Sequence, residues 1–423
     1  MFRLSRVMRW AAGPCLALNM LCMGAAVGKT KLPEAAADLC NAPLGATLLQ
    51  ANDLKLPAQA IWQNRSDILL PGVSAQDSNT WLLASAMDGQ LRVQTGQVLK
   101  GADTVFKLNI KGPHLLEVTG LNQAALQKLH ITQTALVQVD SQGRVLKATR
   151  LQAAKALDDL FGNAALQQAL GAQFAKSKKG HASGKASFAV WAPTARAVGV
   201  CLYPDAQSTA MGHAPLKRDE ATGIWRTDKP LAKPGSYYRY AVEVFVPGVG
   251  WVVNHVNDPY AVSLSANSLR SYVADLNSPQ LKPTGWDKHP TPQTVKHAVD
   301  MTIYELHVRD FSATDTSVPS DLRGKYLAFA QNNSQGMQHL KALAKAGMTD
   351  LHLLPVFDLA TVPEKNCQSD ARSAQTTRAN DCFNWGYDPL HFNAPEGSYA
   401  TDADDGAKRI LEFRRMVKSL HEA

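Results

Sequence analysis

The sequence predicts a multidomain chain: two β-rich domains, the second a β-sandwich, followed by the beginning of an α/β sheet. Three observations carry this expectation. Short apolar runs separated by turn residues fill positions 40–175, and alternating apolar positions continue from 186 to 290. Beyond Pro290 the pattern changes to strand, amphipathic helix, strand. A length of 423 residues leaves room for two to four domains.

Residues 1–28 read as a secretory signal. Arg3, Arg6 and Arg9 form a basic start, and the apolar stretch after Ala11 ends in small residues. Gly13, Pro14 and Asn19 interrupt that stretch, which argues against a membrane span. The expected location is secreted, periplasmic or at the cell envelope. The net charge of +8 is spread along the chain and not gathered into a stripe, so no nucleic-acid partner is expected. With the signal removed, Cys40, Cys201, Cys367 and Cys382 remain in an oxidising compartment. Cys367 and Cys382 flank a polar stretch, and a disulfide between them would stiffen the loop that follows. No paired Cys or His lies at ligand spacing, so metal binding is the weaker reading of these residues.

Within 40–175, strands are expected at 60–62, 68–70, 81–86 and 105–110, each closed by a turn signal, with helices at 123–129 and 151–170. The run 176–181 is basic and reads as a linker. In 186–290 the strand candidates are 188–191, 198–202, 224–225, 237–246 and 251–253. So many short strands at this spacing argue for a sandwich. Trp191 and Trp225 are candidates for stacking on sugars, and a place in the sandwich core is the commoner explanation of such residues.

From 301 to 308 the residues alternate as a strand. Met337, Leu340, Leu343 and Ala344 then share one helical face ahead of Gly347, and 351–356 is a nearly continuous apolar strand. Strands joined by a crossover helix are parallel, so the segments following both emerge at one face. That face of an α/β sheet is where ligands bind. Residues 402–420 read as a further helix.

The loop between that second strand and the last helix holds Phe383, Asn384, Trp385, Gly386, Tyr387, Asp388 and Pro389 in a row. Two large rings around a Gly let the backbone turn tightly and offer a flat apolar face beside an amide and a carboxylate. A sugar ring fits such a face. A packed surface turn is the other reading.

This heptapeptide, together with Tyr304 to Phe311, Leu353 to Asp358 and Pro395 to Tyr399, resembles the opening of the catalytic barrel of type I pullulanases. These are starch-debranching enzymes of the α-amylase superfamily, glycoside hydrolase family 13. Phe383 stands where Tyr is usual. Phe188 to Ala195 and Asn257 to Ala261 are similar to the family 48 carbohydrate-binding module that precedes that barrel, and 61–174 resembles the accessory domain of the same enzymes. The organisation so implied is a signal at 1–28, an accessory domain at 40–175, a carbohydrate-binding sandwich at 186–290, and at 291–423 the first two βα units of an incomplete (β/α)8 barrel.

The resemblance implies endohydrolysis of α-1,6-glucosidic linkages in pullulan, amylopectin or glycogen with retention of configuration. Retention uses two carboxyl groups about 5 to 5.5 Å apart and requires no cofactor, although bound calcium remains possible. By position, Tyr387 would stack on the sugar before the cleaved bond, and Asn384, Trp385 and Asp388 would shape its pocket or hold the loop. The family's catalytic carboxylates come from later barrel strands. About 130 residues follow Pro290, against roughly 250 for a full barrel. No catalytic residue is therefore assigned, and the chain alone is expected to be inactive. A non-catalytic α-glucan-binding protein is the alternative.

Overall fold

The computed structural model describes residues 34–176, 182–292, 295–366 and 383–423. The signal segment, residues 177–181 of the 176–181 linker and the Cys367/Cys382 pair lie outside them, and Lys176 ends a strand.

The accessory region folds on an eight-stranded sheet. Its order is Val145–Thr149, Gln133–Val139, Thr80–Ala86, Thr104–Gly112, Leu115–Glu117, Asp67–Leu69, Ala60–Trp62 and Leu151–Gln152. Trp62, Ile68, Trp81, Leu83 and Leu116 meet Leu126, Leu160 and Phe161 from its helices in one core. Asn122 caps the Gln123–His130 helix by accepting from the Ala125 N–H at 2.9 Å. The helix expected at 151–170 is shorter. Leu151–Gln152 pairs in parallel with Ala60–Trp62, the helical part covers only residues 154–165, and Leu166 is exposed. Backbone pairing at the sheet edge has overridden the helical period there.

The sandwich has two antiparallel sheets. One contains Gly45–Ala51, Gly250–Val256, Tyr237–Val246, Ala197–Tyr203 and Gly212–Pro215 in that order, with Ser271–Tyr272 paired to Tyr237 and Tyr238. The other runs Gly171–Lys176, Ala182–Trp191, Ile224–Arg226, Lys217–Asp219. Phe188, Val190, Val198, Val200, Trp225, Tyr238 and Tyr240 fill the space between them. Gly45–Ala51 and Gly171–Lys176 come from the stretch that sequence pattern groups with the accessory domain. All seven residues of Gly45–Ala51 are exposed, so backbone hydrogen bonds recruit that strand and its apolar pattern carries no trace of it.

A disulfide joins Cys40 to Cys201, 161 residues apart, and fastens the Glu34–Asn41 helix to the first sheet. Arg239 supports the junction by donating to the Cys40 and Ala42 carbonyls at 2.9 Å. Sequence spacing had pointed only to the Cys367/Cys382 pair.

After the sandwich, Ile303–Leu306 and Asp350–Leu353 pair in parallel, with the Gln335–Lys345 helix crossing between them. Ser334 caps that helix, and Gly347 leaves it with φ +105°. Both strands are shorter than their apolar runs. Pro355 has no N–H to continue the second. Ile303 and Tyr304 are exposed, whereas Leu306, Val308, Met337 and Leu340 pack with Tyr326, Phe329, Tyr399 and Met416 of the Gly406–Glu422 helix. Gly406 starts that helix against the sandwich, because a β-carbon there would lie 2.5 Å from the Tyr272 ring.

Candidate substrate-binding site

The chain leaving Asp350–Leu353 passes Pro355 and returns as Phe357–Leu359, which pairs antiparallel with Pro389–Pro395. The aromatic heptapeptide caps this hairpin. Gly386 sits at φ +78° over Pro355, where a β-carbon would lie 2.7 Å from the Pro355 carbonyl oxygen. Only Gly accepts both the dihedral and the approach.

Asn384 is buried and turned inward. Its Oδ1 accepts from the Tyr399 hydroxyl at 2.9 Å and lies 3.2 Å from His307 Nε2. His307 Nδ1 accepts from the Asp310 N–H at 3.3 Å, which leaves Nε2 as the proton-bearing nitrogen. His307 thus links the first parallel strand to the loop. Asp388 fastens the other end: its carboxylate accepts from the Thr361 N–H at 2.9 Å and from the Thr361 hydroxyl, and its carbonyl accepts from Ala360 N–H. Both polar residues of the motif therefore brace the turn.

The rings between them face outward. Trp385 is 68% and Tyr387 67% exposed, with Phe383 and Phe392 also open. Arg309 stands 5.7 Å from the Phe383 ring centroid, and Phe392 rests on Phe357 at 5.2 Å. Isolated exposed apolar residues are ordinary, but adjacent aromatics held on a braced loop form a surface of the kind that takes a ligand.

Trp225 requires a correction. It is 8% exposed within the sandwich core, and its indole N–H donates to the Ala192 carbonyl at 2.9 Å, so no ring face is free for sugar. Trp191 is half-buried against the accessory core and donates to the Thr222 carbonyl at 3.0 Å. Alternation along a strand does not distinguish an inward from an outward Trp until the register is known.

Around the same hairpin lies a charge network that sequence reasoning missed. Asp358, Glu364, Glu396 and Arg409 are all buried. Arg409 reaches Asp358 at 3.4 Å and Glu364 at 2.5 Å, and donates to the Ala403 and Pro395 carbonyls. His391 and Ser268 also bond Asp358, at 2.8 and 2.6 Å. Glu396 accepts from Leu359 and Ser398 N–H groups at 2.8 and 2.9 Å. Burial, reinforced by Glu364, pushes the Glu396 carboxyl up to about 8, and burial also raises Glu364. Oxygens of the three acids lie within 4.8 Å of one another, close enough for one cation. The Arg409 guanidinium already supplies positive charge beside Asp358 and Glu364. Arg409 lies 51 residues from Asp358 and 45 from Glu364, and no local spacing marks the group.

The pullulanase N2 domain model matches residues 57–159, and the carbohydrate-binding module 48 (isoamylase N-terminal domain) model matches residues 169–261. The pullulanase of Klebsiella pneumoniae is 34% identical over 93% of this chain. The chain belongs to the N-terminal region of the pullulanase family. Pullulanase 1, chloroplastic, of Arabidopsis thaliana is 38% identical over 69% of the chain. The apo crystal structure of the K. pneumoniae pullulanase matches with TM-score 0.75 at 32% identity, covering 86% of this chain and 45% of that one. Its maltotriose complex matches equally well. The chain spans 40% of the length of the Klebsiella pullulanase and 31% of the Arabidopsis one. Among the described residues no helix is long and apolar enough to cross a membrane.

Proposed function

We propose that the chain is the N-terminal part of an exported α-1,6-glucan hydrolase of pullulanase type. Its parallel strands and two helices are the first two βα units of a (β/α)8 barrel, and Trp385 with Tyr387 forms a glucose rest on the barrel's rim. The observation that carries this reading is that the rings flanking Gly386 stand two-thirds exposed while Asn384 and Asp388 hold the loop from both ends. The Cys40–Cys201 disulfide and the basic, apolar N-terminus support export.

Retaining hydrolysis requires two carboxyl groups that flank the scissile bond and reach it. Near the platform, Asp388 is committed to Thr361, Asp358 is buried under Arg409, and Asp310 pairs with Arg309 at 2.6 Å. None of these side chains is placed as such a pair. In this reading the chain alone binds α-glucan and does not cleave it, its catalytic carboxylates belonging to further barrel strands. Release of reducing sugar from pullulan by the purified chain would contradict this. Retardation in a pullulan-containing native gel, lost in the Trp385→Ala, Tyr387→Ala double variant, is the expected result. Retardation unchanged by that double variant would remove the glucose rest.

A further inference from the structure

Away from the rim loop, the sandwich carries a recess of its own where the Gly171–Lys176 strand meets the Pro389–Pro395 strand. Leu170, Gln173, Tyr260, Tyr272, Leu276 and Asn393 are among the residues that line it, and its volume is about 390 Å³. At about 30 Å³ for each water-sized group, that is room for about a dozen non-hydrogen atoms, the size of one glucose ring with its hydroxyls. Tyr238 and Tyr272 are buried, whereas Tyr260 is 49% exposed and has a ring face open to a ligand.

Tyr260 is set in place by its neighbours. One oxygen of the buried Asp258 carboxylate accepts from the Tyr260 N–H at 2.8 Å, and the other accepts from the Tyr238 and Tyr240 hydroxyls at 2.8 and 3.2 Å. Gly171 lets the strand come close, since a β-carbon there would lie 3.1 Å from the Tyr260 β-carbon. Asn393 Nδ2 donates to the Pro259 carbonyl at 3.2 Å and so fastens the hairpin to the Tyr260 loop. An amide supports up to four hydrogen bonds, which leaves Asn393 capacity for a sugar hydroxyl. No charged side chain is among the described residues that line the recess.

We propose that this recess binds the terminal glucose of an α-glucan chain, with Tyr260 stacking on the sugar and Asn393 bonding its hydroxyls. An open aromatic ring beside amides, with no charge in the lining, suits a neutral sugar and not a phosphorylated ligand, which needs cations. Room for one ring favours an end, because an interior unit brings a neighbour on each side. That the sugar is an α-glucan rests on the function proposed above, whereas the fit to a neutral sugar rests on the lining alone. The recess and the Trp385–Tyr387 platform share no lining residue. Pullulan is linear and offers few ends, so the recess adds little to retardation in a pullulan gel.

The test is calorimetric titration with maltose of the Trp385→Ala, Tyr387→Ala double variant, which isolates the recess, with and without Tyr260→Ala and checked for native circular dichroism. The expected result is one equivalent bound, with affinity about tenfold lower once Tyr260→Ala is added. Asn393→Ala, at an exposed position, should weaken binding too, and it carries the test if Tyr260→Ala does not fold. α-Cyclodextrin, a closed ring of glucose units without ends, should not compete with maltose. A double variant that binds no maltose, binding left unchanged by Tyr260→Ala and Asn393→Ala, or competition by α-cyclodextrin would overturn the proposal. Failure of the pullulanase-type reading is separate, since it shows as a parent chain that is not retarded in the pullulan gel, whatever the recess binds.

Discussion

Gly386 is packed so closely over Pro355 that a β-carbon would come within 2.7 Å of the Pro355 carbonyl oxygen, at a φ of +78°. The aromatic loop is thereby seated on the segment that ends the second parallel strand. Gly386→Ala meets left-handed strain of about 1–2 kcal/mol before the contact with Pro355 is counted. The expected outcome is a lower melting temperature together with weakened retention on glucan.

Trp385 and Tyr387 separate binding from stability. Both rings are largely exposed, so Trp385→Ala or Tyr387→Ala should change unfolding free energy by about 0.5 kcal/mol or less. Each should nonetheless weaken mobility retardation in pullulan gels. Denaturant melts and affinity gels on the same preparations check the pair of statements.

Trp225→Ala should behave in the opposite way. Its ring is buried between the sheets, and truncation is expected to destabilise the sandwich by about 3–5 kcal/mol. Any loss of glucan retention should follow the loss of fold, as urea unfolding with tryptophan fluorescence would record.

The Cys40–Cys201 bridge closes a loop of 161 residues. In the chain-entropy account such a closure contributes on the order of 5 kcal/mol by restricting the unfolded chain. Cys201→Ala should lower the denaturation midpoint, and mild reductant should change it little, because both cysteines are fully buried.

Glu396 sets a pH dependence. Its carboxyl is raised from 4.5 to about 8, so between those values the folded chain holds a proton that the unfolded chain releases. Stability contributed by this group is complete below the lower value and is lost as pH rises through the upper one. Urea midpoints should therefore fall from about pH 5 to about pH 8, and Glu396→Gln should flatten that fall. An unchanged slope in the variant would assign the pH dependence to other groups.

Much of the fold was legible in the order of residues. The alternation in 237–246 and 198–202 became the paired centre of the sandwich, and Met337 and Leu340 mark the buried face of the crossover helix. What escaped was set by partners distant along the chain. Gly45–Ala51 joins the sandwich through its backbone with every residue exposed, and 151–152 leaves a helical period to pair with 60–61. The inward or outward sense of Trp225 depends on strand register.

By itself, the sequence determined many of the segments that become strands and helices and which loop carries adjacent rings around a glycine, because periodicity and turn chemistry act over a few neighbouring residues. Tertiary structure alone decided that Cys40 meets Cys201, that Arg409 joins Asp358 to Glu364, and that Asn393 meets Pro259. These contacts close over tens to more than a hundred residues. Only the packed sheets and the docked final helix bring such groups within bonding distance.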